Sequence, residues 1–211
     1  MSKIEEVFTA IETGKAKIIA ELVQSAIDEG NDPMEILNQG MVNAMSVIGE
    51  RFSRGEAFVP EMLISARTMK KGVEVLKPHL AKDAATSFGT AVIGTVQGDM
   101  HDIGKNLVAM MIESAGFEVV DLEVDVPLER FVEAIQAHNN VRIVALSTLL
   151  TTTMPAMKNI VAGLNALPNR DSFRVMVGGA PITADFAKQI GADGYSLDAA
   201  AAAVLAKSLV S

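Results

Sequence analysis

Apolar residues in the first 79 positions recur every three or four residues: Ile4, Val7, Phe8 and Ile11; Ile18, Ile19, Leu22, Val23 and Ala26; Ile36, Leu37, Met41, Met45, Ile48 and Phe52; then Met62, Ala66, Met69, Val73 and Leu76. Each set makes one apolar face of a helix. Thr13-Gly14, Gly30 to Pro33, and Ser53-Arg54-Gly55 through Pro60 interrupt the pattern. Asp32 before Pro33 marks a helix start, because its side chain can cap free N–H groups and proline loses nothing at the first helical position. Four helices with facing stripes predict a small bundle.

The rhythm changes after a polar, alanine-rich stretch from Lys77 to Phe88. Short β-branched runs follow at Thr90–Val96, Glu118–Val124, Ile143–Leu149 and Arg174–Gly178, each succeeded by a helical stretch, with a weaker run at Ala192–Ser196 before a closing helix from Asp198. Such runs suit strands buried on both faces, and their alternation with helices implies a parallel sheet with right-handed crossovers. The expected fold is α + α/β: a four-helix cap over residues 1–80, a linker at 81–88, and a five-stranded, doubly wound (Rossmann/flavodoxin-like) domain over 89–211.

Composition narrows the function. Of 211 residues, 49% are apolar and 21% charged, enough for sizeable cores, and the formal charge of -8 disfavours nucleic acid as a partner. The absence of cysteine excludes disulfides, thiolate metal sites and iron–sulfur clusters, and fits the cytosol. The polar start of the chain and the lack of a run of about 18 apolar residues argue against export and against a membrane partner.

Ligands of open parallel sheets bind beyond the carboxyl ends of the strands. The first such loop reads Gln97-Gly98-Asp99-Met100-His101-Asp102-Ile103-Gly104-Lys105-Asn106 and opens an apolar helix at Leu107. The other histidines, His79 and His138, fall in last turns of helices, where imidazole commonly serves the terminal carbonyls. His101 lies at the strand-to-helix switch between two aspartates, and Asp99 is placed to accept the ring N–H that a metal-bound histidine would donate. An ordinary hydrogen-bonded loop histidine is the competing reading.

One imidazole cannot make a tetrahedral zinc site, so a metal held this way would bring its remaining ligands in a macrocycle. The spacing of Gly98 and Gly104 matches neither the dinucleotide nor the Walker phosphate loop. A hydroxyl-rich run, Ser147-Thr148-Leu149-Leu150-Thr151-Thr152-Thr153, follows the third strand. Helix capping needs one hydroxyl, and five are present.

Asp99-x-His101-x-x-Gly104, then Ser147-x-Leu149, then Gly178-Gly179 together resemble the cobalamin-binding domain that uses histidine as the lower axial ligand to cobalt. Met45-x2-Ile48-Gly49-x2-Phe52-x2-Gly55-x2-Phe58-Val59-Pro60 and Ser65-Ala66-Arg67-x-Met69 extend the resemblance to the helical cap of cobalamin-dependent methionine synthase and of small corrinoid proteins of methyltransferase systems. The resemblance implies a cobalamin or related corrinoid, its cobalt cycling between Co(I) and methyl-Co(III), bound base-off with His101 as metal ligand. It assigns Asp99 and Thr153 to a relay behind His101, and Gly98, Met100, Asp102, Ile103 and Gly104 to the same cofactor-binding loop. Ser147 and Thr151 would line the nucleotide-tail pocket, Gly178 and Gly179 would let the tail pass the fourth strand, Leu149 would also bind the cofactor, and Tyr195 and Ala199 would lie near a further corrinoid contact. On the cap, Phe52 and Val59 would shield the upper face, Val59 standing where methionine synthase has leucine. Asn38 stands where that enzyme has glutamate.

The resemblance further implies a non-catalytic shuttle subunit. A substrate-specific methyltransferase would load the methyl group and an acceptor methyltransferase would pass it to tetrahydrofolate or a thiol, with a reductive activator as third partner. Cap movement would hinge on residues 77–88. A cobalamin-dependent sensor or regulator and an adenosylcobalamin mutase subunit are the rival readings: the first lacks a DNA-binding segment here, the second would not carry this cap. No residue names the methyl donor.

Overall fold

The computed structural model describes residues 2–79 and 88–211. The described residues form two compact units, one all-helical and one α/β. Most of the expected linker and hinge, residues 80–87, lies outside them.

In the helical unit, α1 (Lys3–Glu12) starts in a capping box: the Ser2 hydroxyl accepts from the Glu5 N–H while the Glu5 carboxylate accepts from the Ser2 N–H. α2 (Ile19–Asp28) buries Ile19, Val23 and Ala26. The third predicted helix is continuous over 33–53 but not uniform. Asp32 caps its first turn, α3 (Pro33–Glu35), which passes into a π-helical stretch, Ile36–Val42, and then into α4 (Asn43–Ser53). Within the π stretch the buried pairs Ile36/Met41 and Leu37/Val42 are five residues apart, as i→i+5 hydrogen bonding requires. Gly40 lies at its centre, where a Cβ would come within 3.1 Å of Val7 on α1. α5 (Val59–Leu76) completes the four-helix bundle, packing on α1, α2 and α4.

The α/β unit contains β1 (Thr90–Thr95), α6 (Ile103–Ser114), β2 (Glu118–Asp121), α7 (Leu128–Ala137), β3 (Val141–Ser147), α8 (Met154–Asn165), β4 (Arg174–Gly178), α9 (Ala184–Ile190), β5 (Gly194–Ser196) and α10 (Ala199–Val210). All five strands are parallel, in the order β2-β1-β3-β4-β5. This is the doubly wound sheet that the pattern predicts. One face, with Val92, Val96, Val144, Leu146, Val175 and Val177, packs on Phe131 of α7, Met157, Ile160 and Val161 of α8, and Ile190 of α9. Each fully buried side chain of this size contributes about 1.5–3 kcal/mol over an exposed one. The alanine-rich α10 lies against β3, β4 and β5 on the other face, its Leu205 approaching Gly194.

Strand order reverses between β1 and β3, so the loops leaving those strands diverge to opposite faces and open a crevice at their carboxyl ends. Several boundaries near it differ from expectation: β3 ends at Ser147 rather than Leu149. α6 begins at Ile103 rather than Leu107, because the Asp102 carbonyl already accepts the Asn106 N–H (2.7 Å). β2 stops at Asp121 rather than Val124, because Glu123 turns into the left-handed region at φ 70°.

Candidate functional site

The segment after β1 turns sharply at Gly98, whose φ of 86° favours glycine and whose missing Cβ would stand 3.3 Å from the Thr153 methyl. That turn drives Asp99 inward to complete burial (0% exposed) and leaves the His101 side chain 51% exposed. Asp99 Oδ1 accepts from the His101 backbone N–H (3.0 Å) and lies 2.7 Å from His101 Nδ1. Thr95 Oγ1 donates to the His101 carbonyl (2.8 Å), so the residue is fixed at backbone and ring alike.

The other carboxylate oxygen faces the loop after β3. Asp99 Oδ2 accepts from Thr148 Oγ1 (2.8 Å) and from the Leu149 N–H (2.7 Å), with the Leu150 N–H at 3.3 Å. Thr153 Oγ1 lies 2.5 Å from Thr148 Oγ1, 3.2 Å from Oδ2 and 3.0 Å from the Leu150 carbonyl. Thr153 occupies the N-cap position of α8, yet its hydroxyl makes no capping bond; it is turned to the aspartate. Thr148, 1% exposed, is the residue that sequence reasoning missed: nothing local separated it from the four other hydroxyls of the run.

Burial by itself would raise the Asp99 carboxyl, but the Leu149 and His101 N–H groups, the His101 ring and the Thr148 hydroxyl hold it well below the usual carboxylate range. An ionised Asp99 can only accept, so Nδ1 carries the hydrogen and neutral His101 presents a lone pair at Nε2. Among the described residues Nε2 has no protein partner, and no three His, Asp or Glu side chains gather as a metal site.

Around His101 the surface is unexpectedly apolar. Met100 (69% exposed), Ile103 (84%), Leu149, Leu150 and Leu197 project from the loops after β1, β3 and β5. Gly104, in the first turn of α6, would meet nothing within 4 Å if it carried a Cβ, and its φ is not left-handed. No contact within the protein calls for glycine there, although glycine weakens a helix. Asp102, also exposed, accepts from Asn106 Nδ2 (3.2 Å).

On the α10 face, Thr95, Ser147, Gly178 and Ser196 fall in register as one row of small residues across β1, β3, β4 and β5. A Cβ at Gly178 would make only ordinary contact with Ser196, whereas one at Gly179 (φ 127°) would overlap the Thr148 carbonyl, which gives Gly179 an internal reason to lack a side chain. Thr151 is exposed in a 3₁₀ turn at Thr151–Thr153, and Ala199 is buried at the start of α10. Tyr195 packs on the sheet face covered by α7, α8 and α9, away from the small-residue row. Phe52, half-buried on α4, and Val59, partly exposed at the start of α5, belong to the helical unit.

Two family models match the chain, both described as B12 binding domains, one over residues 89–204 and the other over 3–77. The chain belongs to the B12-binding corrinoid proteins. It is 40% identical to a corrinoid protein of Desulfitobacterium hafniense, covering 100% of this chain and 98% of the relative. It is 44% identical over 181 residues to trimethylamine corrinoid protein 1 of Methanosarcina acetivorans, covering 85% and 83%. Among solved structures it superposes on one chain of the methanol:cobalamin methyltransferase complex of Methanosarcina barkeri with a TM-score of 0.82 at 31% identity, covering 99% of this chain and 79% of the other. A cobalamin-binding protein of D. hafniense gives 0.83 at 30%, covering 99% and 98%. The chain is therefore a corrinoid protein of methyltransferase systems, and its cofactor is a cobalamin or related corrinoid. Among the described residues no helix is long and apolar enough to cross a membrane.

Proposed function

We infer that the protein holds its corrinoid base-off, with His101 Nε2 as the lower axial ligand. The observation that carries this reading is the ring itself: Nδ1 is pinned to a buried, ionised Asp99 while Nε2 is left without a protein partner. The surroundings fit such a group. Met100, Ile103, Leu149, Leu150 and Leu197 would rest under a macrocycle, the bare Gly104 would let it approach the start of α6, and the row Thr95, Ser147, Gly178 and Ser196 would flank the displaced nucleotide tail.

When bound, the corrinoid supplies a cobalt that accepts a methyl group and gives it up again. The protein's part is electrostatic and positional. Asp99 fixes the tautomer and the orientation of the ring. Asp99 Oδ1, 2.7 Å from Nδ1, is placed to balance positive charge that develops on the ring. The Thr148 and Thr153 hydroxyls can rotate and redirect their hydrogen bonds among Asp99 Oδ2, one another and the Leu150 carbonyl as the charge on the ring changes.

The methyl group passes from a substrate-specific methyltransferase to a second methyltransferase acting on tetrahydrofolate or a thiol, and a reductive activator restores the cofactor after stray oxidation. Corrinoid proteins named for trimethylamine and dimethylamine resemble this chain at comparable identity. That likeness to carriers named for different amines supports a reading in which donor choice rests with the partner enzyme rather than with the carrier. The test is the ultraviolet–visible spectrum of protein reconstituted with hydroxocobalamin, wild type beside His101→Ala. The reading expects a base-off, histidine-ligated spectrum that the variant loses; a wild type that binds without histidine ligation sinks it.

A further inference from the structure

The loop between β2 and α7 holds two residues with side chains in the left-handed region, Glu123 (φ 70°) and Asp125 (φ 55°). Glycine adopts this conformation without the Cβ clash that other residues incur. Both residues are bonded to the segment that carries His101. The Glu123 carbonyl accepts the Thr95 N–H (3.0 Å), and its own N–H donates to Asp121 Oδ1 (2.8 Å), on the carboxylate that Lys105 of α6 holds from the other side. Asp125 makes two bonds to consecutive residues: Oδ1 accepts the Gly98 N–H (2.7 Å), and the Asp125 N–H donates to the Asp99 carbonyl (3.0 Å).

We propose that Asp125 is a positioning residue that sets the direction of His101 Nε2 by clamping the peptide groups of Gly98 and Asp99 from the neighbouring loop. Asp125 touches neither the His101 ring nor the Thr148–Thr153 hydroxyls in the bonds described, so it acts only through the backbone. Gly98 must hold φ 86° under the Thr153 methyl for Asp99 to point inward, and the Asp125 carboxylate bonds the N–H of that same residue. A glycine at 125 would relax the loop backbone; the acceptor oxygen is what aspartate adds. The proposal rests on His101 being the cobalt ligand.

The test compares wild type with Asp125→Gly, Asp125→Ala and Asp125→Asn, each as apoprotein and after loading with hydroxocobalamin and reduction to Co(II). Amide exchange at Gly98 in the apoprotein reads the clamp without any cofactor, and nitrogen superhyperfine coupling in the Co(II) electron paramagnetic resonance spectrum reads histidine ligation. In the glycine and alanine variants, Gly98 should exchange at least tenfold faster while Val144 and Val175 keep their protection, and the nitrogen-coupled fraction should fall below half of wild type. Asp125→Asn, whose amide oxygen can accept the same bond, should stay near wild type in both. Unchanged Gly98 exchange, an unchanged nitrogen-coupled fraction in Asp125→Gly, or an Asp125→Asn protein that matches Asp125→Gly overturns the proposal. A wild type without nitrogen coupling overturns the ligand assignment and this proposal together; coupling present in wild type and undiminished in the variants overturns this proposal alone.

Discussion

Replacing Gly104 by alanine should strengthen the apoprotein and weaken the holoprotein. The position lies in the first turn of α6 with right-handed backbone, and an added Cβ meets no atom within 4 Å. Glycine within a helix costs about 0.5–1 kcal/mol relative to alanine, and with no clash to offset it the whole of that term is regained. At a urea m-value of about 2 kcal/mol/M this raises the unfolding midpoint by roughly 0.25–0.5 M. In the loaded protein the same methyl projects into the space where the macrocycle would rest. Forcing one extra carbon into a filled contact costs about 1–3 kcal/mol, a fivefold or greater rise in Kd. Urea unfolding of the apoprotein followed by circular dichroism, and hydroxocobalamin titration followed by absorbance, give the two numbers independently. Affinity within twofold of wild type refutes the placement of the ring over Gly104; a lowered urea midpoint refutes the claim that the protein itself makes no use of the bare glycine.

Thr148→Val keeps the shape of a buried side chain and removes only the hydroxyl that donates to Asp99 Oδ2. A bond to a charged acceptor of this kind contributes about 1.5–3 kcal/mol, and apoprotein unfolding that changes by less than about 0.5 kcal/mol would show Asp99 indifferent to it. Gly179→Ala combines a left-handed φ of 127° with overlap on the Thr148 carbonyl, so a loss above about 2 kcal/mol is expected in thermal or urea unfolding, and a near-neutral result counts against the close approach of the two loops. Tyr195→Phe should leave hydroxocobalamin affinity within twofold of wild type, since the ring packs on the face away from the small-residue row; a tenfold loss would place the tyrosine at the cofactor after all.

The four helices and the five parallel strands were legible because each depends on the spacing of its own residues, as with Asp32-Pro33 or the run of small and β-branched residues in β1. The pairing of His101 with Asp99 was legible for a similar reason: a single residue, Met100, separates the ring from its carboxylate. Thr148 was not, because its bond to Asp99 joins residues 49 positions apart and exists only once β1 and β3 lie side by side. The π turn at Ile36–Val42 escaped because a five-residue spacing overlaps the three- and four-residue spacings of an ordinary helix within so short a stretch. Tyr195 was drawn toward the cofactor by its nearness in sequence to Ala199, but alternation along β5 turns it to the same face as Val177, its partner in register. Asp125 gave no signal, since a left-handed aspartate leaves no mark on the surrounding residue types.

The bond between Asp99 and Thr148 also orders events in time. A nascent chain that has produced His101 but not yet folded β3 has a histidine loop with one of its two carboxylate oxygens unsatisfied, and nothing from the later strand to hold Asp99 in place. Contacts this distant in sequence form late, after the loop between them has closed. On the proposed ligation by His101, cofactor capture would have to wait for the third strand to dock, and a ribosome-bound fragment ending short of residue 148 should leave cobalamin in the medium.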